Sequence, residues 1–573
     1  MSSYDNEPIK SGELAPDYVE LASTHTSTRW RSVPQEEPTG YDPGAPLGVT
    51  TSNQSSSGDG EDKLPLGQAI KRYPKIAAYC LAMTIPIIGW GYDLVIVGAI
   101  TGVDSFKADY GKYIQGEWRI PGNWLTLWMA LPPAGSALGA VIGGWLQDRI
   151  GRRFSLMIGS IISAIAISCI FFSHLPASQA IKLAMITAGL TIQGFTVGII
   201  KTTCLTYVSE NSPTALRGSA MALFPTFTLI GQLIGAIVVF VVNKVDSPSG
   251  YLGAFGSQWI LACGPFILSW VMPESPSYLI RKGHEDKAFR AATRFYAPKV
   301  SPYVALEKIR ATIEEEKAST TSATYWTCFK GTDLRRTLIV ILANIFPALF
   351  GLDLLSNSTP FLQSFGMESS ISLLLQIFGI IAGMLANGMG FWLLSRTGRR
   401  NMTIVSMLAT SILWGAMGVT GFWSSSTLTY VAGGLMIAII VSCGLGCWPA
   451  GYAIMGEASS LQLRALSQGI GGVAAQGSSI TLAVVLPQLF SVDKAALGAK
   501  TGFLFCGLCL IGVVLTWLWI PEMKGRSNQE LDHMFQMKLP TRKFKHFKMD
   551  VHEIQEVSPL TDSNPEVETF EGN

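Results

Sequence analysis

Apolar runs of roughly the length that a helix needs to cross a bilayer, about 20 residues, recur along the whole chain and are parted by polar segments. Twelve stand out, near residues 76–100, 123–146, 154–173, 183–208, 219–242, 252–272, 337–362, 370–394, 402–422, 429–455, 465–490 and 502–520. None shows the strict alternation of a barrel strand. A backbone surrounded by lipid must satisfy its own hydrogen bonds, so the runs are predicted to be helical. Six precede a long polar stretch and six follow it, which divides the chain into a polar N-terminal segment 1–64, a bundle 65–272, a linker 273–334, a second bundle 335–520 and a tail 521–573. The predicted fold class is an all-α membrane protein of twelve transmembrane helices in two pseudo-symmetric six-helix bundles.

Polar signatures between the runs repeat in the same order. "GGWLQDRIGRR" at 143–153 returns shortened as "LLSRTGRR" at 393–400, with Gly151 and Gly398 separated by 247 positions. The same offset carries Glu210 and Arg217 of "ENSPTALR" onto Glu457 and Arg464 of "EASSLQLR", and an offset of 248 carries "PESP" at 273–276 onto "PEMK" at 521–524. The chain is a duplicated unit.

Composition agrees with a membrane protein: 48% of residues are hydrophobic and 14% charged, against about 25% charged in a soluble domain. Residues 1–64 are rich in Ser, Pro and Gly, contain no apolar core of a signal peptide, and are expected to be disordered. Arg149, Arg152, Arg153, Arg217, Arg396, Arg399, Arg400 and Arg464 fall in loops on one side, together with the linker and both termini. The positive-inside rule makes that side the cytoplasm. The net charge of +2 gives no reason to expect a nucleic-acid partner. Eight of nine cysteines lie inside apolar runs, with Cys328 in the linker, and read as small packing residues. There is no phosphate-cradling glycine loop and no metal-spaced His/Cys cluster, so neither an enzyme nor a cofactor is expected. Within the linker, "VALEKIRATIEEEK" suggests amphipathic helices against the cytoplasmic face. The basic tail stretch "KLPTRKFKHFKMD" (538–550) fits either a segment near an anionic leaflet or a solvated tail.

The repeated charges call for more than topology. The positive-inside rule explains the arginines but not Glu210, Glu274, Glu457 and Glu522. Carboxylates at those helix ends can pair with guanidinium groups of the other half, forming a latch when the cytoplasmic mouth closes and releasing it when the mouth opens. Two halves rocking about a central site is the architecture of a secondary transporter.

Few charges lie within the runs, where each costs about 2.5–3.5 kcal/mol at a helix centre. Asp93 in "GYDL" and Asp353 in "GLDL" sit at about the same depth of the first and seventh runs, as pseudo-symmetric elements that could face one cavity. Asp93 reads either as a proton carrier or as a satisfied carboxylate within the bundle. Lys201 in "GIIKTTCLTY" reads as a snorkelling lysine, as a counter-ion of an Asp, or as the receiver of an anionic substrate. Amides and aromatic faces within the runs suit either a neutral, hydroxyl-bearing ligand or an interhelical hydrogen bond. Asn357 is a candidate for the ligand role, and Gln193, Asn344, Asn387, Tyr452 and Gln476 are weaker ones. Trp448 could stack on a ligand ring or fill volume between helices.

"GGWLQDRIGRR", "YVSENSPTALRG", "PESPSYL", "GEASSLQLR" and "PEMKGRS" resemble the signature set of the sugar porters of the major facilitator superfamily, over about residues 76–535. "GAKTGFLFCGLCLIGVVLTWLWIPEMKGRSNQELD" is similar to the end of the fungal maltose and α-glucoside permeases. The resemblance implies the major facilitator fold with alternating access. It implies latch roles for Asp148, Arg152, Arg153, Glu210, Arg217, Glu274, Arg399, Arg400, Glu457, Arg464 and Glu522, a proton-coupling role for Asp93, and a place for Gln232 of "GQLIG" in a sugar site. The interior departs from the family pattern. Trp90 stands where maltose symporters commonly have Glu, Ser136 where they often have another, and Leu190 where many proton-coupled hexose porters have Arg. Trp448 replaces a usual Gly and Ser395 a frequent acid. The expectation is a monomeric multi-pass plasma-membrane transporter of a sugar, of the α-glucoside class such as maltose, by proton symport, with the substrate sites at Gln232, Asn357, Gln193, Asp353, Lys201, Trp448 and Tyr452. Its expected partners are the sugar, the proton and the lipid bilayer. The alternatives are a related porter for an organic acid or secondary metabolite, with Lys201 as carboxylate partner, or a sugar uniporter. A non-transporting sensor would carry a longer signalling tail.

Overall fold

The computed structural model describes residues 66–547, apart from 115, 321–324, 365, 424, 460–462 and 527. The expected disorder of 1–64 therefore lies outside the described residues, as does the end of the tail. Among the described residues, eleven helices are long and apolar enough to cross a membrane. In the first half they are Pro74–Ile100, Gly122–Ile150, Arg152–His174, Gln179–Asn211, Phe224–Val242 (part of the helix Thr214–Val242) and Pro248–Val271. In the second half they are Ser369–Arg396, Arg399–Thr420, Ser426–Ala458, Leu466–Phe490 and Gly498–Trp519.

The remaining crossing, seventh in order, is the run near 337–362, and it is broken into Gly331–Phe350, Leu352–Ser356 and Ser358–Gln363. Gly351 ends its first helix with a left-handed backbone at φ +87, and a Cβ there would lie 2.8 Å from Cζ2 of Trp414. Irregular backbone at membrane depth must find partners inside the protein. Here Trp414 Nε1 donates to the Phe350 carbonyl at 3.0 Å, and Gln376 Nε2 donates to the Ser356 carbonyl at 3.2 Å. The break is thus held by two side chains of other helices. The tenth crossing is also interrupted, between Ser426–Leu445 and Cys447–Ala458, where Ser406 Oγ accepts from the Cys447 amide at 3.0 Å.

Small residues bring the helices together. The second and fourth crossings pack backbone against backbone: a Cβ on Gly139 would overlap the carbonyl of Phe195. The two halves meet along the second and eleventh, fifth and eighth, and first and seventh crossings.

One end of the molecule carries both basic turns, and is called the basic end below. The linker helices Pro276–Arg281, Glu285–Tyr296 and Pro302–Thr320 begin there. The helix Glu285–Tyr296 buries Ala288, Ala291, Ala292 and Phe295, and the Phe295 ring packs on Tyr79 of the first half at 5.3 Å. The start of the tail docks on the second half. Phe544, in the basic stretch that could have met a leaflet, is fully buried and packs edge-on against Phe535 at 5.1 Å. Arg335 donates to the Leu539 carbonyl at 2.7 Å and to Thr541 Oγ1 at 2.8 Å. In its described part this stretch is anchored by Phe544, while Lys538, Arg542, Lys543 and Lys545 stay exposed.

At the opposite end the halves are tied together. Lys107 pairs with Asp104 at 2.6 Å and reaches across to Gln363 Oε1 at 3.4 Å and Ser369 Oγ at 3.3 Å. Ser369 Oγ donates to Asp104 Oδ1 at 2.9 Å, and Gln363 Nε2 to the Gly102 carbonyl at 3.1 Å. Asp493 accepts from the Gly122 amide at 2.9 Å, and Gln488 Nε2 donates to Thr126 Oγ1 at 2.9 Å. None of these closing residues was singled out by the sequence.

Two outcomes are expected. Gly351→Ala forces a left-handed backbone on a residue with a Cβ, which alone costs about 1–2 kcal/mol, and adds the overlap with Trp414. Its thermal midpoint in detergent falls below that of the unaltered protein, measured by intrinsic fluorescence. Lys107→Ala combined with Gln363→Ala loosens the closed end. Spin labels at Tyr113 and Glu368 then report a population at longer distance; an unchanged distribution excludes these ties as the closure.

Candidate substrate path and coupling site

A cavity of about 1060 Å³ lies between the halves, lined from the second, fourth, seventh, tenth and eleventh crossings. Its wall includes Leu205, Tyr325, Met455 and Gly469, residues near the ends of elements that emerge at the basic end. With the opposite end tied shut, this lining carries the cavity toward the basic end. Lys201, Trp448 and Tyr452 line it, with Asn344, Gln476 and Ser136. A smaller chamber of about 50 Å³ is bordered by Gln232, Ser356, Ser358 and Gln376. Phe350 and Trp448 border both spaces, with ring centroids 6.5 Å apart. These two rings mark the boundary between them.

Other expected site residues are committed elsewhere. Asn357 donates to the Asp353 carbonyl at 2.9 Å and lines neither space. Gln193 donates to Asp93 Oδ2 at 2.7 Å. Asp353 accepts from Ser479 Oγ at 2.7 Å. The expectation that Asp93 and Asp353 face one cavity as symmetric copies is not met, because neither lines it. Asp93 sits in a continuous helix and is held by the fourth and sixth crossings, whereas Asp353 follows the break at Gly351 and is held by the eleventh. The break re-aims the second carboxylate.

Asp93 has a complete neutral shell. Gln193 Nε2 reaches one oxygen at 2.7 Å and Gln258 Nε2 the other at 2.8 Å. Ser163 Oγ donates in turn to Gln193 Oε1 at 3.1 Å, which fixes that amide with its NH₂ toward the carboxylate. No cation pairs with Asp93 among the described residues. Gln258 was missed by the sequence reading; an amide within an apolar run was the available signal.

The duplicated charges form two corresponding clusters at the basic end. Arg152 pairs with Glu210 at 2.6 Å, and Arg399 pairs with Glu457 at 2.7 Å with a further bond from its Nε at 3.1 Å. Glu274 accepts from the amides of Arg152 at 2.9 Å and Arg153 at 3.2 Å, and Glu522 from the amide of Arg399 at 2.9 Å. These carboxylates cap the helices that follow the basic turns, the position where a negative charge best meets the helix dipole. Arg153 donates to the Ser269 carbonyl at 2.7 Å and Arg400 to the Trp517 carbonyl at 2.7 Å. Burial pushes the Glu274 carboxyl above its ordinary range, although the amides of Ser275, Arg152 and Arg153 and the Arg152 charge pull the other way.

The expected pairing across the halves is absent among the described residues: each of these carboxylates is bound within its own half. The physical reason is the open mouth, which separates the two rims and leaves each cluster to close on itself. The clusters differ in one respect. Arg152 has a second carboxylate, Asp148 at 3.4 Å, whereas Ser395 bonds the Trp392 carbonyl at 2.7 Å. Arg464 lies at the start of the eleventh crossing, and the side chain of Arg217 lies outside the described set.

Residues 79–535 match the family described as sugar (and other) transporter. A maltose permease of Saccharomyces cerevisiae is 29% identical over 506 residues, covering 86% of this chain and 81% of its own length. An alpha-glucosides permease of Saccharomyces cerevisiae is 28% identical over 511 residues, covering 87% and 84%. An MFS transporter of Aspergillus fumigatus is 26% identical over 507 residues, covering 86% and 93%. Among solved structures, the xylose transporter XylE from E. coli in a partially occluded inward open conformation superposes with a TM-score of 0.66, at 17% identity, over 79% of this chain and 100% of that one. Twelve crossings in two related halves, a central cavity closed at one end and a twice-repeated charged rim therefore stand together with a family match over most of the chain, which belongs to the sugar (and other) transporter family of the major facilitator superfamily.

Proposed function

We propose that the protein imports an α-glucoside such as maltose by proton symport, through alternating access, in the plasma membrane with both termini in the cytoplasm. The observation that carries the coupling is the shell of Asp93. A carboxylate inside a helix bundle, bonded by two amides and facing no cation, has only a proton with which to neutralise its charge. Leu190, buried and apolar, supplies no charge where hexose porters carry Arg. Both amides donate to the anion, and Gln258, whose Oε1 has no partner among the described residues, can turn that oxygen toward the protonated acid.

The sugar assignment rests on the cavity and on the relatives. Trp448 and Tyr452 offer aromatic faces, and Asn344 and Gln476 offer amides, to a hydroxyl-rich ligand. The relatives named for maltose and alpha-glucosides cover most of the chain. The arginines of the rim support a cytoplasmic position for the basic end by charge asymmetry, and in that orientation the open cavity is inward-facing.

The rim clusters are the latch of this cycle. Arg152 Nε, Glu210 Oε2, Arg400 Nε and Arg464 Nε are buried and have no partner among the described residues in the open state. Unspent capacity of this kind on both rims supports new bonds across the mouth when it closes.

In sealed liposomes with an inward proton gradient, labelled maltose accumulates above equilibrium. Asp93→Asn abolishes that accumulation and leaves exchange of internal for external maltose in place, because exchange needs no net proton movement. Equilibration without accumulation in the unaltered protein indicates a uniporter, and the proton role of Asp93 is then withdrawn.

A further inference from the structure

Asp93 and the rim account for most of the charge near the path, but not for Lys201. Among the described residues it is the one charged side chain that lines the large cavity. Its Nζ stands 4.2 Å from the centroid of the Trp90 ring. No described carboxylate pairs with it. Asp93 is occupied by two glutamine amides and Asp353 by Ser479, so neither is its counter-ion.

Snorkelling does not explain this position either. The first and fourth crossings run antiparallel and are tied at two levels: Cys80 to Ser212 near the basic end, and Asp93 to Gln193 in the interior. On the first crossing Trp90 falls between the two tied residues, Cys80 and Asp93, three residues from Asp93, and the ammonium rests on its ring. It is held inward by an aromatic face, which attracts a cation without neutralising it.

An uncompensated ammonium bordering a cavity this apolar is suited to an occupant that brings the missing negative charge. The remaining polar groups nearby, Ser136, Thr202, Asn344 and Gln476, are neutral and repel no anion. We propose that Lys201 receives a carboxylate of the transported sugar, so that glycosides or sugars bearing a uronate-type acid are preferred over their neutral counterparts. This rests on the reading of the chain as a sugar porter and narrows its substrate class. The carboxylate accepts from Nζ, the ring of the sugar lies toward Trp448 and Tyr452, and no bond is made or broken.

The test compares glucuronate with glucose, which differ only at C6, and adds benzoate as a carboxylate without a sugar. Binding to the purified full chain is measured by calorimetry, and exchange is measured in liposomes, for the unaltered protein, Lys201→Gln and Lys201→Arg. Glucuronate is expected to bind more tightly than glucose. Lys201→Gln should weaken glucuronate about tenfold to a hundredfold, the span of a charged hydrogen bond, and leave glucose unchanged, while Lys201→Arg retains the preference. Equal binding of the two sugars, or an equal effect of Lys201→Gln on both, overturns the proposal and leaves the sugar-porter reading standing. Lys201-dependent binding of benzoate with no binding of glucuronate, glucose or maltose overturns the sugar part of the proposal. If none of the three binds while maltose is taken up, the acid preference falls and the sugar-porter reading stands.

Discussion

A polar group in the interior of a bilayer has no water to fall back on, and the structure follows from how each such group is answered. The helices answer their own backbone. At two places where the backbone departs from a helix, side chains of other helices take over. Trp414 and Gln376 hold the break in the seventh crossing, and Ser406 holds the tenth. The one carboxylate in the continuous part of the first helix draws in two glutamines and, behind them, a serine. Such irregularities are costly in lipid, so they mark the places where the protein does something other than span.

Duplication shaped the two ends of the molecule differently. At the basic end the copies have stayed almost identical: Arg152 to Glu210 and Arg399 to Glu457 pair in the same way, and Glu274 and Glu522 cap equivalent helices. The interior has diverged. Asp93 and Asp353 stand in similar G-x-D-L stretches, but only the second helix is interrupted there, at Gly351, and its carboxylate has a different partner. A rim that must open and close symmetrically keeps its symmetry. A site that must bind one asymmetric molecule has no reason to.

This difference governs how much could be read from the chain. The twelve crossings, the two halves and the rim residues were legible because each is written as a local pattern: an apolar run, or a charged motif at a fixed offset. The closed end was not. Lys107, Gln363, Ser369 and Asp493 look like ordinary loop polarity, and only the folded halves bring them within bonding distance. Asn357 misled for the opposite reason. Its type suited a sugar, but its amide is spent on the backbone beside it. Gln193 and Gln258 illustrate a third case: an amide in an apolar run signals a partner, yet its identity, Asp93, depends on how three helices pack.

Lys201 and Asp93 together impose a condition on the cycle. A halves-rocking carrier must move its charged groups past low-dielectric walls in both its loaded and its empty form, and an uncompensated charge is expensive there. In the empty form the lysine cation and the Asp93 anion sum to zero. A proton on Asp93 with a neutral sugar leaves the lysine charge exposed, so the loaded carrier would reorient with one charge more than the empty one. A proton on Asp93 with a carboxylate on Lys201 restores the sum to zero. Under the second arrangement both reorienting forms are neutral, and neither the proton nor the anion has to be carried alone. A cation on the Trp90 ring and a carboxylate held by two amides meet that condition when the transported sugar carries an acid.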